Sequence, residues 1–197
     1  MVERAQSGGN DPGLDRLFED LVRDGWLMGM NAGVDPAAVR MDGPTGTCNR
    51  PYFVALCSRA IEDAISGHGP RPEDGPAQGE VALMTLRILD WEDLAAALGD
   101  AEREGLAARV ARLLEAVLRV DDVIGRVAPD TFSLLLRGCP HELHDLIAGR
   151  CQVAIEKERY AVDGAWSTLR CRVQATIWAG EGAEDFVTAA CRGLLDG

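Results

Sequence analysis

Three side chains able to ligate a metal fall close together in the run Cys139-Pro140-His141-Glu142-Leu143-His144. One thiolate and two imidazoles are ligands that zinc accepts. They stand at the start of a predicted helix with no fourth ligand in view, so the expected reading is helix-start residues at the surface, and no metal site is assigned. The remaining cysteines, Cys48, Cys57, Cys151, Cys171 and Cys191, form no CxxC pair and are expected to be small buried hydrophobes. Charged chemistry concentrates elsewhere, in the corner Arg119-Val120-Asp121-Asp122 and in Asp130, which sits on a tight turn.

The element that must hold those charges is a β-hairpin. Val123, Ile124 and Val127 lead into Ala128-Pro129-Asp130-Thr131, and Phe132, Leu134, Leu135 and Leu136 lead out. Proline presets the first turn angle and aspartate tolerates the second, which suits a type I turn. Around it, a turn at Asp42 to Gly46 precedes a helix from Pro51 to Ile65, and Val81 to Leu89 reads as a buried strand interrupted by Arg87. Helices are predicted over Trp91–Leu98, Leu106–Leu118, His141 to about Arg159, and Ala183–Leu195, with an alternating strand at Leu169–Ala179. The class is therefore α/β, a mixed central sheet flanked by helices.

The chain has 197 residues and 47% hydrophobic content, enough for one well-filled core plus an appendage. Residues 1–12 are polar and glycine-rich and are expected to be a disordered tail. Residues 13–38 hold an amphipathic helix, with Leu14, Leu17, Phe18, Leu21, Val22, Trp26 and Leu27 on one face, and a linker. That face packs on its own domain or on a second copy. The glycine- and proline-rich stretch 67–79 is expected to be a mobile excursion. A net charge of −12 disfavours nucleic acid and anionic membrane as partners. No apolar run approaches the roughly 20 residues of a membrane span and the N-terminus lacks a signal-peptide core, so the expected location is cytoplasmic.

Asp42, Thr45, Gly46, Asn49, Arg50 and Phe53 stand in the spacing D-x-L-T-G-L-x-N-R-x-x-F. Arg126, Asp130 and Phe132 fall where R-x-GGDEF would. On these motifs the chain, over 39–197, resembles the GGDEF domains, the bacterial diguanylate cyclase family. The resemblance implies a palm-like nucleotide cyclase fold in which two domains face each other and join two GTP molecules into cyclic di-GMP with magnesium. Such chemistry needs carboxylates for the metal and glycines where backbone meets nucleotide.

Against that pattern, Ala128 and Pro129 replace both glycines, and Thr131 replaces the second acid of the hairpin, leaving Asp130 alone. Arg87 stands at the position of the metal-binding aspartate on the first long strand, where a fixed positive charge would repel magnesium. Ala95 replaces the asparagine that reads guanine in the family, and Glu104 replaces its aspartate partner. The resemblance with these departures implies a degenerate cyclase site, with no catalytic residues, no metal and no magnesium.

Arg119 and Asp122, by contrast, match the family's R-x-x-D product-binding site, and Arg150 falls where the family places a further arginine on the bound dinucleotide. An arginine fork can donate to guanine O6 and N7, and a carboxylate can accept from its N1–H and amino edge. The expected function is a catalytically inactive receptor for cyclic di-GMP that signals by contact with a protein partner or as a homodimer. The alternative is a nucleotide-independent scaffold in which Arg119 and Asp122 make an exposed ion pair contributing about 0–1 kcal/mol. A GTP sensor is a weaker third option, opposed by Ala95 and Pro129.

Overall fold

A computed structural model describes residues 40–66, 81–136, 138–162 and 164–194; of Ala95 only the backbone is described. The N-terminal helix expected over 13–38 and the stretch 67–79 lie outside the described residues. Strand β1 (Cys48–Asn49) runs into helix α1 (Arg50–Ser66). Strand β2 (Ala82–Ile88) is followed by α2 (Trp91–Ala97) and α3 (Asp100–Val117). The hairpin is β3 (Val123–Ala128) with β4 (Thr131–Leu136), and α4 (His144–Glu156) follows a single 3-10 turn. A ribbon of β5 (Arg159–Val162) and β6 (Ala165–Thr168), then β7 (Cys171–Ile177) and α5 (Ala183–Arg192), complete the described elements.

The central sheet has the order β1-β3-β4-β2-β7, with β1 parallel to β3 and the remaining pairs antiparallel. Alternation along the strands divides the core between two faces. Met84, Leu86 and Ile88 of β2 and Phe132, Leu134 and Leu136 of β4 pack with Leu106, Val110 and Leu114 of α3 and Cys151 and Ile155 of α4. The opposite face carries Leu83, Leu135 and a buried Thr85–Ser133 hydroxyl pair at 3.0 Å, covered by α1 and α5 through Phe53 and Phe186. Phe53 lies against Gly125 so closely that any Cβ there would penetrate the phenyl ring. Glycine at that point of β3 is thus a packing requirement.

The hairpin turns through Pro129 and Asp130 as its sequence requires, and a bulge at Val127 interrupts the ladder between Arg126 and Ala128. Two helix boundaries need correction. The helix beginning near His141 ends at Glu156, and Arg159 instead starts the exposed β5–β6 ribbon. Helix α3 begins at Asp100 rather than Leu106, because the Glu102 carboxylate accepts from the Gly99 N–H at 3.2 Å and secures a polar first turn. Strand β2 is found where it is expected and runs through Arg87, which is paired with Thr131 on one side and Arg172 on the other.

Candidate functional site

The hairpin, the Asp42 turn and α3 meet at a cavity of about 340 Å³ lined by Asp42, Pro44, Glu104, Arg126, Val127, Ala128 and Pro129. Asp42 belongs to a self-bonded turn in which its Oδ1 accepts from the Thr45 hydroxyl at 2.6 Å and from the Thr45 N–H at 3.2 Å. Gly46, at φ 71°, lets the chain turn back so that its N–H reaches the Asp42 carbonyl at 2.8 Å. This local closure aims the Asp42 carboxylate at β3.

Arg126 fills the back of the cavity at 8% exposure. Its guanidinium donates to both Glu104 oxygens, to Asp42 Oδ1 at 3.3 Å, and to the Pro129 carbonyl at 2.9 and 3.2 Å. The Trp91 ring lies beneath it, 5.7 Å from centroid to guanidinium carbon. Burial works against its charge, but the Glu104 hydrogen bond and the Asp42 and Glu104 charges outweigh burial, and its pKa is raised above the ordinary arginine value.

Arg87 Nε donates to Asp130 Oδ2 at 2.7 Å, and Thr131 Oγ1 donates to the other Asp130 oxygen at 2.8 Å. Both oxygens of Asp130 are therefore engaged, one by a guanidinium. Among the described residues the three carboxylates of the region, Asp42, Glu104 and Asp130, all face arginine. Ala128 and Pro129 line the cavity mouth, and Ala95 lies in α2.

The second group of predicted residues lies at the far end of the hairpin. The Arg119–Asp122 turn is closed by its own backbone, Asp122 N–H to the Arg119 carbonyl at 3.2 Å, and by Asp122 Oδ2 accepting from the Arg119 N–H at 2.9 Å. Arg119 is exposed, and so is Arg150 on α4. Neither guanidinium makes an ion pair among the described residues, so the Arg119–Asp122 side-chain pair is not formed. The charges of Arg150 and Asp122 both reach the buried Cys151 thiol, one lowering and the other raising its pKa, while burial dominates and pushes it up to about 11.

Of the Cys139, His141 and His144 run, Cys139 is half-buried and His141 exposed, but His144 is only 2% exposed, which corrects its expected surface position. The His141 ring meets it edge to face at 5.3 Å, and neither His144 nitrogen has a hydrogen-bond partner. Among the described residues no group of three potential ligands is placed to hold a metal ion. What the sequence concealed is the role of Arg126: the motif marks the residue, but Glu104 and Asp42 reach it from distant segments.

A family model described as Diguanylate cyclase, GGDEF domain matches residues 39–190, and the chain belongs to the GGDEF-domain family. No curated protein sequence matches the chain. Among solved structures, the FimX GGDEF domain from Pseudomonas aeruginosa superposes with a TM-score of 0.67 at 18% identity, covering 80% of this chain and 92% of that one. The GGDEF domain of DgcB from Caulobacter crescentus in complex with c-di-GMP gives 0.68 at 15% identity, with coverages of 84% and 91%. Diguanylate cyclase SiaD from Pseudomonas aeruginosa, in complex with its activator SiaC, gives 0.69 at 19% identity, with 93% and 65%. These likenesses establish the fold. No described helix is long and apolar enough to cross a membrane.

Proposed function

We propose that this GGDEF domain does not synthesise cyclic di-GMP but binds it, at Arg119, Asp122 and Arg150, and passes the signal on by protein contact. The observation that carries the reading is the contrast between two groups of arginines. Arg126 at the cavity is spent on Asp42 and Glu104, and Arg87 on Asp130 of the hairpin turn, whereas Arg119 and Arg150 present guanidiniums with no ion-pair partner among the described residues. A guanine edge and a phosphate are what an unpaired guanidinium fork recognises. The DgcB structure, solved in complex with c-di-GMP, supplies the ligand by analogy of family.

The cavity residues do not fit a magnesium ion. A divalent cation needs carboxylate oxygens free to coordinate it, and here a guanidinium already occupies each candidate carboxylate and adds like charge. Pro129 supplies no backbone N–H to a phosphate. The domain acts in the cytoplasm, with cyclic di-GMP and a protein partner or second copy as its contacts.

A second reading, a scaffold that binds partners without nucleotide, is favoured by the Asp122 carboxylate, which already serves its own turn. Calorimetry separates the two. The receptor reading expects saturable cyclic di-GMP binding by the wild type, weakened at least about tenfold in Arg119→Ala, where a charge-assisted contact is lost. Absence of heat with wild-type protein at high micromolar ligand discards it. A tracer assay with GTP and magnesium tests the other half: product formation above a no-protein blank would falsify the claim of inactivity.

A further inference from the structure

The two ends of the central sheet are unlike. At one end β1 is two residues long, too short to template another strand; at the other, β7 runs seven residues as an open edge. Leu89 N–H bonds the Arg170 carbonyl and Trp178 N–H bonds the Val81 carbonyl, each across a β2–β7 register pair. Residues 172, 174 and 176 therefore face their backbone groups toward β2, and Cys171, Val173, Ala175 and Ile177 direct theirs outward. Among the described residues, no other strand meets them.

Natural sheet edges are usually protected by lysine, proline, a bulge or brevity. Strand β7 carries one charge, Arg172, whose guanidinium is turned onto the Leu194 carbonyl at 3.2 Å, and none of the other protections. Its register with β2 is unbroken, and the run from Val173 to Ala179 holds no charged residue and no proline. Gln174 and Ile177 are exposed along it.

We infer that β7 pairs with β7 of a second copy, antiparallel about a two-fold axis through Gln174, to make one continuous sheet across a dimer. The occupant follows from self-complementarity. With Gln174 opposite Gln174, Val173 meets Ala175 and Cys171 meets Ile177, which are the residues with outward backbone groups and so form the hydrogen-bonded pairs. Arg172 then meets Thr176, so no like charges oppose each other. The contact is isologous and closes at two copies. It requires neither the arginine corner nor nucleotide.

The test uses the full chain without ligand. Sedimentation at about 100 µM is expected to show a dimer. Gln174→Lys sets two ammonium groups opposite each other, and Ala175→Pro removes an outward N–H without touching the β2 ladder; each is expected to weaken the dimer at least about tenfold. Gln174→Cys is expected to give a 174–174 disulfide on air oxidation, mapped by mass spectrometry, since directly opposed Cα atoms of a non-hydrogen-bonded pair lie about 4.5 Å apart. Thr176→Cys is expected to give no 176–176 crosslink, because that residue and its mate would be about 14 Å apart. Circular dichroism checks that each variant is folded, and should Ala175→Pro fail that check, Gln174→Lys decides. A monomeric wild type, a Gln174→Lys protein that dimerises like wild type, or equal crosslinking at 174 and 176 overturns the inference.

Discussion

Arg126→Met is the most informative change at the cavity. It preserves much of the side-chain volume over Trp91 and deletes the charge and every donor. Both Glu104 oxygens and the Pro129 carbonyl then lose their partner, while Asp42 Oδ1 loses the guanidinium and keeps Thr45. Breaking a buried pair from one side costs about 3–5 kcal/mol because the other charge is stranded. Here the carboxylates are 23% and 32% exposed and recover part of their hydration through the cavity, which lowers the expectation to about 2–4 kcal/mol. For a domain of this size that is a fall in Tm of about 4–16 °C. Urea unfolding, with an unchanged m-value, gives the free energy directly. The cycle with Glu104→Gln adds the diagnosis: Arg126→Met should cost less in the Glu104→Gln background, by about 1–2 kcal/mol. A loss below about 0.5 kcal/mol for Arg126→Met, or additive effects in the cycle, would refute the view that this guanidinium holds the three segments together.

Three further outcomes follow from the geometry. Gly125→Ala forces the Phe53 ring out of its place against β3 and is expected to cost about 1–3 kcal/mol by chemical denaturation. His144→Leu replaces a buried imidazole with no hydrogen-bond partner by a side chain that needs none, and is expected to raise stability by about 1 kcal/mol, read as a higher urea midpoint. Burial raises the thiol pKa of Cys48 and Cys151 to about 11 and of Cys57 and Cys171 to about 12. The unfolded thiols ionise from about 9 while the folded ones stay protonated, so the unfolded state binds fewer protons and stability falls as pH rises from 9 to 11. Each thiol forfeits about 2 kcal/mol across that window, and Cys171→Ala should flatten the decline measured by denaturation at several alkaline pH values.

The fold was legible where local physics decides it. Pro129-Asp130 between two apolar runs could only be a turn, and the alternation through Phe132, Leu134 and Leu136 set which face of β4 meets the helices. The β5–β6 ribbon was not legible, because Ala165 to Thr168 are all exposed and carry no apolar period. Asp100 to Gly105 likewise lacked a hydrophobic face, so the start of α3 depended on a cap that only the coordinates reveal. At the site, the sequence identified which residue types had changed but not what they had become. Arg87 read as a lone cation and Asp130 as a lone acid, and 43 residues of separation hid that they are partners. His144 read as a surface residue because nothing local marks it as the inward side of the first turn of α4.

We propose guanine recognition at the hairpin's far corner and none at the cavity. The most direct test is a pair of isothermal titrations on one preparation of wild-type protein, one with cyclic di-GMP and one with GTP plus magnesium. Saturable heat with cyclic di-GMP and a flat trace with GTP is the predicted result. Saturable heat with GTP alone would contradict it, since that ligand would have to displace Arg126 and Arg87 from the carboxylates they now hold.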